Sequence, residues 1–280
     1  MKFFESKAFR QLKRNKLAIA GTIFIIALFI VAAFAPLIAP YGPFKTDFFK
    51  TLEGPSAEHW LGTDDLGRDV LSRLLYGARI SITIGFISVA IGLVVGVPIG
   101  AISGYYGGKI DMFVQRLVDI MMAFPGMLLA IIIVAVMGVG LVNAMIAVGI
   151  VSIPTYIRLV RGSVLSIKNR EFVQAAKAIG VRESVIIFKH ILPHCLAPII
   201  VQSSLQIGVA ILWAAGLGFL GLGAQAPTPE WGAMLSQGRG YIRTAHHVTT
   251  YPGIAIMLSV LGFNLLGDGL RDALDPKMSN

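Results

Sequence analysis

The chain has 280 residues, of which 55% are hydrophobic and only 14% are charged, and its formal net charge is +9. This composition excludes an ordinary soluble globular domain. Long uncharged runs separate the basic residues, so no basic surface for nucleic acid is predicted either. A single cysteine, Cys195, excludes an internal disulfide and a zinc site built on paired thiolates. The sequence therefore predicts an all-α integral membrane protein that is embedded in, and contacts, the lipid bilayer.

The N-terminal part combines a basic segment with a long apolar run. Residues 1–16 include six Lys or Arg side chains and are predicted to be a cytoplasmic N-terminal segment. A helix needs about 20 apolar residues to cross roughly 30 Å of hydrocarbon, and residues 17–39 supply them. The run is longer than the apolar part of a cleavable signal. Residues 17–39 are therefore predicted to remain as the first transmembrane helix.

Residues 40–79 are predicted to be an extracytoplasmic segment. In their second half, residues 62–79, apolar side chains recur at helical spacing after Asp64 and Asp65, which predicts a helix lying on the membrane surface. The ligand spacing of an EF-hand is absent, so the acidic pair is interpreted as a helix cap and interfacial anchor, not a calcium loop. The polar face of this surface helix would consist of Arg68, Asp69, Ser72, Arg73 and Tyr76.

Residues 80–271 are predicted to form a core of five transmembrane helices. The second span lies in the uncharged run 80–108, whose glycines are typical of closely packed membrane helices. The uncharged run between Asp119 and Arg158 is long enough for two spans that turn near Gly138, Gly140 and Asn143. The fifth and sixth spans are predicted at residues 196–220 and from about 248 to 266.

The distribution of positive charge predicts the orientation. Most Lys and Arg residues lie in residues 1–16, in residues 158–190 and after the last span, and cytoplasmic loops carry such an excess. Six spans place both termini on one side of the membrane. The N-terminus, a loop at residues 161–193 and a tail at residues 272–280 are therefore predicted to be cytoplasmic.

The loop at residues 161–193 contains a short amphipathic pattern. Its apolar residues recur at positions i, i+3, i+4 and i+7, which predicts a helix over residues 171–179 that Gly180 ends. A second helix is predicted from about Arg182 to Pro193. So short a helix needs either a partner groove or the membrane surface for its apolar side, and periodicity leaves both open. The apolar side consists of Phe172, Ala175, Ala176 and Ile179.

This loop resembles a motif of permease subunits of ATP-binding-cassette importers, in which Glu-Ala-Ala is followed by three residues, Gly, nine residues and Ile-x-Leu-Pro. Gln174 stands where the family usually has Glu, and His190 stands in the nominal Ile position. Four further stretches are similar to the second permease subunit of dipeptide, oligopeptide and glutathione importers. The matching motif residues are Gln174, Ala175, Ala176, Gly180, Leu192 and Pro193, and the further stretches are residues 59–81, 103–111, 219–235 and 263–277.

The resemblance implies a fold, a function and partners. The fold is the type I importer permease, with one N-terminal helix ahead of a five-helix core. The function is to form half of a translocation channel for di- or oligopeptides, with glutathione or a nickel complex as alternative cargo, in the cell (inner) membrane of a bacterium or archaeon. The partners are a second, non-identical permease, two ATPase subunits and an extracytoplasmic solute-binding protein. The coupling residues that it implies for the ATPase contact are Glu171, Phe172, Gln174, Ala175, Ala176, Ile179, Gly180 and Pro193.

No catalytic role is predicted for this chain. It has no phosphate-binding G-x-x-x-x-G-K-[ST] sequence, so ATP and Mg²⁺ are expected in the partner ATPase subunits, and this chain is expected to bind no cofactor. A membrane enzyme would need a site such as His190, His194 and Cys195, but Pro193 interrupts the helix between the histidines, so no metal site is predicted. An ion-coupled secondary transporter would need ionisable residues near mid-membrane and internal repeats, neither of which is evident.

Polar residues in the last two spans are candidates for the translocation path. Polar groups at that depth face protein or water, not lipid. They either join neighbouring helices through hydrogen bonds or line the channel, and the sequence does not separate these alternatives. The candidates are Gln202, Ser203, Gln206, Asn264 and Asp268.

Overall fold

The computed structural model describes residues 15–274, and all regular elements in that range are helices. Most of the basic N-terminal segment and the tail from residue 275 lie outside the described residues. The all-α prediction is confirmed. The helices are α1 Lys16–Ile38, α2 Val70–Tyr106, α3 Gly108–Ala123, α4 Gly126–Met137, α5 Leu141–Ile167, α6 Glu171–Ala178, α7 Glu183–Phe219, α8 Trp231–Gly238 and α9 His247–Leu274.

Five of these helices, α1, α2, α5, α7 and α9, are long and apolar enough to cross a membrane. The helices α3 and α4 make a sixth span if they are counted as one, although they meet at a bend of 92°. Pro125 lies at that bend, where it disfavours helical backbone in Phe124 and ends α3. The predicted count of six spans therefore agrees with the structure only if α3 and α4 together are counted as one broken span. The turn predicted near Gly138 is confirmed, since Gly138 has φ +94° and separates α4 from α5.

The core is built on close contact between α2 and α5, while α9 packs against both α7 and α1. Glycines recur every fourth residue along α2 on the side that faces α5. A Cβ atom at Gly100 would lie 2.6 Å from the carbonyl oxygen of Ile157, and one at Gly96 would lie 2.6 Å from the Cβ of Tyr156. Only glycine lets the two backbones approach this closely. The small-residue character of the second span thus has a packing role.

The predicted surface helix over residues 62–79 is wrong. The structure begins α2 at Val70, where Asp69 caps it by accepting a hydrogen bond from the backbone N–H of Ser72, and the helix continues without a break to Tyr106. The side chains of Arg68, Asp69 and Arg73, predicted to face water, are buried. They are buried because other residues of the loop 40–69, such as Pro43, and the α8 residue Gln237 pack over them at the start of α2.

A buried polar cluster joins these covering segments; we call Asp64, Arg68, Arg73 and Gln237 the α8-end cluster. Arg68 Nε donates to Asp64 Oδ2 at 2.7 Å, and Arg73 Nε lies 3.3 Å from the same oxygen. Both arginines also donate to Gln237 Oε1, at 3.1 and 3.3 Å. One carboxylate therefore pairs with two buried guanidinium groups, and these guanidinium groups in turn join the loop and α2 to Gln237 on α8.

The helix predicted to end at Pro193 also differs from the structure. The helix α7 passes through Pro193, with π-type hydrogen bonding over Ile186–Ile191 and a 3₁₀ turn over Leu192–Cys195. Proline lacks a backbone donor, and this local change of hydrogen-bond pattern accommodates the missing bond. The fifth span and the second helix of the loop are consequently one helix.

Candidate functional site

The short helix α6 begins and ends close to the predicted residues. Glu171 lies in its first turn and Lys177 in its last, where each charge interacts favourably with the helix dipole. Gly180, with φ +75°, follows the helix, and the N–H of Val181 donates to the carbonyl oxygen of Ala176 at 3.1 Å. This arrangement is a glycine-terminated helix end that most other residues would strain. The prediction that Gly180 ends the helix is confirmed.

One face of α6 packs against its own chain. Val173 and Ala176 are buried, and they join a core formed by the ends of α2 and α5 and the start of α7. Ala176 was predicted to lie on the same apolar stripe as Phe172, Ala175 and Ile179 for contact with a partner. That assignment is wrong for Ala176, because the helix has two apolar sides and Ala176 belongs to the inner one. The inner core includes Tyr105, Ile167, Ile187 and Ile191.

The other face of α6 is uncovered. Ile179 is 81% exposed, and Phe172 is exposed to about a third of its surface. Polar and small residues complete the same face, which is therefore both apolar and able to form hydrogen bonds. We call the end of the helix bundle that carries this face the α6 end. The remaining exposed members are Glu171, Gln174, Ala175 and Ala178.

Two side-chain contacts tie α6 to the long helices. The ring of Phe172 lies 5.0 Å from the ring of His194 on α7, and Lys177 Nζ lies 4.9 Å from the ring of Tyr105 on α2. Pro193, the last predicted coupling residue, is exposed beside His194. These contacts and the buried side chain of Val173 join α6 to α2 and α7. Sequence reasoning missed Lys177, Tyr105 and Val173.

One ion pair and one lysine hydrogen bond join the helices around α6. Arg161 Nε and Nη2 donate to the two oxygens of Asp111, each at 2.6 Å, and so join α5 to α3. Lys168 Nζ donates to the carbonyl oxygen of Gly104 at 2.9 Å, which satisfies a free acceptor at the end of α2. The residues 103–111 that carried part of the family resemblance thus form a rigid corner.

His194 and Cys195, weighed above as part of a metal site, have different surroundings. The exposed ring of His194 contacts Phe172 at an interplanar angle of 43°, whereas Cys195 is buried and its Sγ donates to the carbonyl oxygen of Ile191 at 3.6 Å. The two residues therefore do not share a site.

The candidate path residues fall into two groups. Gln206 is buried in the helix packing, and Ser203 Oγ accepts a hydrogen bond from the hydroxyl of Tyr156 at 3.2 Å. These two positions fit a helix-packing role. Gln202 and Asn264, by contrast, line open grooves, and Asp268 is exposed.

The two grooves lie along one side of the α7–α9 pair, which we call the α7/α9 seam. The first has a volume of about 530 Å³ and contains Gln202 and Arg271; the second, of about 420 Å³, contains Leu212 and Asn264. Asn264 and Arg271 are seven residues apart, so they lie on the same face of α9. Between these two positions along α9, Gly267 packs closely against Leu205, and a Cβ added there would lie 2.6 Å from Cδ2.

Two family models match the chain. The model described as "Binding-protein-dependent transport system inner membrane component" matches residues 96–280, and the one described as "N-terminal TM domain of oligopeptide transport permease C" matches residues 4–55.

Curated relatives match over almost the whole length. The Dipeptide transport system permease protein DppC of Alkalihalophilus pseudofirmus is 56% identical, over 98% of this chain and 90% of the relative. The Di/tripeptide transport system permease protein DppC of Pseudomonas aeruginosa is 50% identical over 95% and 90%. The Glutathione transport system permease protein GsiD of Pectobacterium atrosepticum is 47% identical over 97% and 90%.

A solved structure supports the fold. A chain of the MetNI methionine ABC transporter, in an inward-facing conformation, superposes with a TM-score of 0.60 at 21% identity. The match covers 73% of this chain and 98% of that one. At this identity the likeness is evidence for the fold alone, and it confirms the type I importer permease architecture.

Proposed function

The chain belongs to the family of inner membrane components of binding-protein-dependent transport systems, and from this membership we propose how its parts serve an ATP-driven importer. It is a permease subunit of an ABC importer and has a transport role, not a catalytic one. Peptides are the cargo that fits, since dipeptide permeases are among its relatives; glutathione, itself a tripeptide, remains the alternative cargo.

The proposed coupling element is α6, whose exposed face seats in a groove of an ATPase subunit. The observation that carries this proposal is an eight-residue helix held from inside by Val173 and Ala176 while Ile179 stays almost fully exposed. A short helix with an anchored inner face and a free apolar outer face is suited to docking in a groove. Ala175, Gln174 and the other exposed coupling residues would contact the ATPase; Ala176 and Gly180 would hold the helix in shape.

The proposed assembly has two such ATPase subunits, which bind ATP and Mg²⁺, together with a second, non-identical permease and an extracytoplasmic solute-binding protein. In this assembly the α6 end and both termini are cytoplasmic, and the opposite end of the bundle, which carries α8 and which we call the α8 end, faces outward. Asn15 Nδ2 donates to Asp272 Oδ2 at 3.0 Å, which supports a common side for the start of α1 and the end of α9. The basic residues near α6 support the cytoplasmic side.

The α7/α9 seam is the proposed contribution of this chain to the translocation path. Its walls are largely apolar, and the side-chain amides of Gln202 and Asn264 offer hydrogen bonds to a peptide backbone. A few weak polar contacts in an apolar groove let a peptide pass without trapping it.

Replacing Gln202 by Leu tests this path. In proteoliposomes that contain the complete complex, Gln202→Leu is expected to leave assembly and ATP hydrolysis intact and to lower peptide uptake about fivefold, which corresponds to one hydrogen bond of about 1 kcal/mol. Gln206→Leu is the comparison on the same helix, and since Gln202 Nε2 donates to Gln206 Oε1 at 3.5 Å, both variants remove this weak contact and differ only in the exposed or buried position that they change. Because Gln206 is buried, its replacement should change the stability of the complex instead of the uptake per assembled complex. Normal uptake by Gln202→Leu would remove the seam from the path.

A further inference from the structure

An apolar groove lies where α1, α2 and α9 meet below α8; we call it the α1 groove. Its volume is about 220 Å³, and its lining is almost entirely apolar. Trp231 and Tyr251 line it on the side of α8, and Phe24 and Leu258 line it further into the bundle. Trp and Tyr are typical of the membrane–water interface, whereas purely apolar side chains suit the hydrocarbon core. The lining of the α1 groove therefore follows the polarity of a bilayer.

The α1 groove has the depth of one lipid leaflet. On α9 its lining extends from Tyr251 to Ser259, inside a stretch without Asp, Glu, Lys or Arg between Arg243 and Asp268. These eight residues rise about 12 Å along the helix axis. One leaflet contributes about 15 Å, which is half of the hydrocarbon core. On α1 the lining residues belong to the middle of the first span. An extended acyl chain therefore matches the length of the groove.

The α1 groove faces away from the α7/α9 seam. Ala255 lines the groove and Asn264 lines the seam. They are nine residues, or about two and a half helical turns, apart, so they lie on opposite sides of α9. On the groove side, α1 packs tightly on α9, since a Cβ added at Gly262 would lie 2.5 Å from Cδ1 of Phe24. A second permease that meets this chain at the seam therefore leaves the groove open to the bilayer.

The basic side chain of Arg79 lies beside the α1 groove. Arg79 is exposed and follows Ala78, which lines the groove; within residues 15–274 its guanidinium group has no hydrogen-bond or ion-pair partner. Phe86, seven residues further along α2, contacts Phe29 in the middle part of α1 with ring centroids 5.6 Å apart. Arg79 therefore lies about 10 Å nearer the α8 end than this contact. From that depth a long arginine side chain extends to the headgroups, where phosphate is the available anion.

We propose that the α1 groove, together with Arg79, is a binding site for one phospholipid of the leaflet at the α8 end. One acyl chain fills the groove from Tyr251 towards Phe24, and the Arg79 guanidinium group donates to the phosphate. A chain that leaves the bilayer for an apolar groove gains no hydrophobic transfer energy, so close packing and the charge-assisted hydrogen bonds supply the preference for this site. The inference goes beyond the proposed function and uses it only for the position of the second permease.

A photoreactive phospholipid tests whether the α1 groove is occupied. The complete complex is assembled in nanodiscs that contain phosphatidylglycerol with a diazirine on one acyl chain, and the adducts are mapped by mass spectrometry after irradiation. Adducts at Leu28 and Leu258 in the groove are expected to exceed those at Ile30, which is 50% exposed on the other side of α1. Equal yields at the three positions, as for lipid without a site, overturn the proposal. Absence of adducts at Leu28 and Leu258, as for a groove covered by protein, also overturns it.

Ala255→Trp tests the place of the acyl chain by filling the groove with a larger side chain. It is expected to remove the adduct at Leu28 and to leave the adduct at Ile30 unchanged. The matched control, Ile30→Trp, adds the same side chain outside the groove and should keep the adduct at Leu28. Persistence of the Leu28 adduct in Ala255→Trp contradicts the proposed site.

Arg79→Gln tests the phosphate contact without filling the groove, so it remains informative if Ala255→Trp prevents assembly. The yield at Leu28 is expected to fall about tenfold, as for the loss of charge-assisted hydrogen bonds, while Arg79→Lys should retain most of it. An unchanged yield in Arg79→Gln overturns the proposal. Labelling requires neither ATP nor cargo, so a complex that labels as expected but transports no peptide would count against the proposed function alone.

Discussion

Ile179→Glu is expected to lower ATP-driven peptide uptake at least tenfold while the chain still folds and inserts. Ile179 is 81% exposed, so a carboxylate at this position costs the isolated chain little. In a groove of the ATPase subunit the same carboxylate would be buried without a partner, at a cost of several kcal/mol. Each 1.4 kcal/mol is a factor of ten in affinity. The measurement is uptake and ATP hydrolysis by the reconstituted complex, together with co-purification of the ATPase subunit.

Two other variants serve as controls for the coupling face. Ile179→Leu keeps an apolar side chain and should retain uptake. Ala176→Glu places a carboxylate in the core that Ala176 shares with Tyr105 and Ile187, so it should lower the stability of the chain itself before any partner binds. Normal uptake and normal coupled hydrolysis by Ile179→Glu would contradict docking through this face.

Asp64→Asn is expected to destabilise the fold by about 3 to 5 kcal/mol, the range for breaking a buried ion pair. The substitution removes the negative charge of the carboxylate that both Arg68 and Arg73 approach within 3.3 Å, and it leaves the two buried positive charges with only Asp65, 3.5 Å from Arg68, as a nearby carboxylate. The loss should appear as a lower midpoint of denaturant or thermal unfolding of the purified complex in detergent.

Asp119→Asn is the matched control for this effect. Asp119 pairs with Arg158 at 2.6 Å, but their side chains are 57% and 45% exposed. Exposed pairs contribute less than about 1 kcal/mol, so the midpoint should change little. Equal losses in the two variants would show that the α8-end cluster has no special structural role.

The membrane spans were predictable because hydropathy depends on local composition alone. The position of the α8-end cluster was not, because it requires Gln237 and the carbonyl oxygens of Pro43 and Pro227, which are distant in sequence from Arg73. Helical periodicity correctly placed Ser72, Arg73 and Tyr76 on one side of a helix, which the structure begins at Val70. It could not distinguish a face that meets water from one covered by another part of the chain.

The same limit applies to both parts of the candidate site. Periodicity located α6 and its end at Gly180, but an apolar side chain that packs inward, such as Ala176, has the same pattern as one that faces a partner. Gln202 and Gln206 are four residues apart and predict a shared polar face. Their separation into one groove residue and one buried residue depends on how α7 packs against α5 and α9.

Crosslinking from position 179 tests the coupling proposal most directly. Ile179→Cys, carrying a thiol-attached photocrosslinker, is irradiated in the assembled complex, with Ile242→Cys, exposed near α8, as the control at the opposite end of the bundle. Docking through α6 predicts a covalent product between position 179 and the ATPase subunit, and no such product from position 242. Docking through α6 is contradicted if position 179 gives no such product and an impermeant thiol reagent labels the same cysteine from outside intact cells.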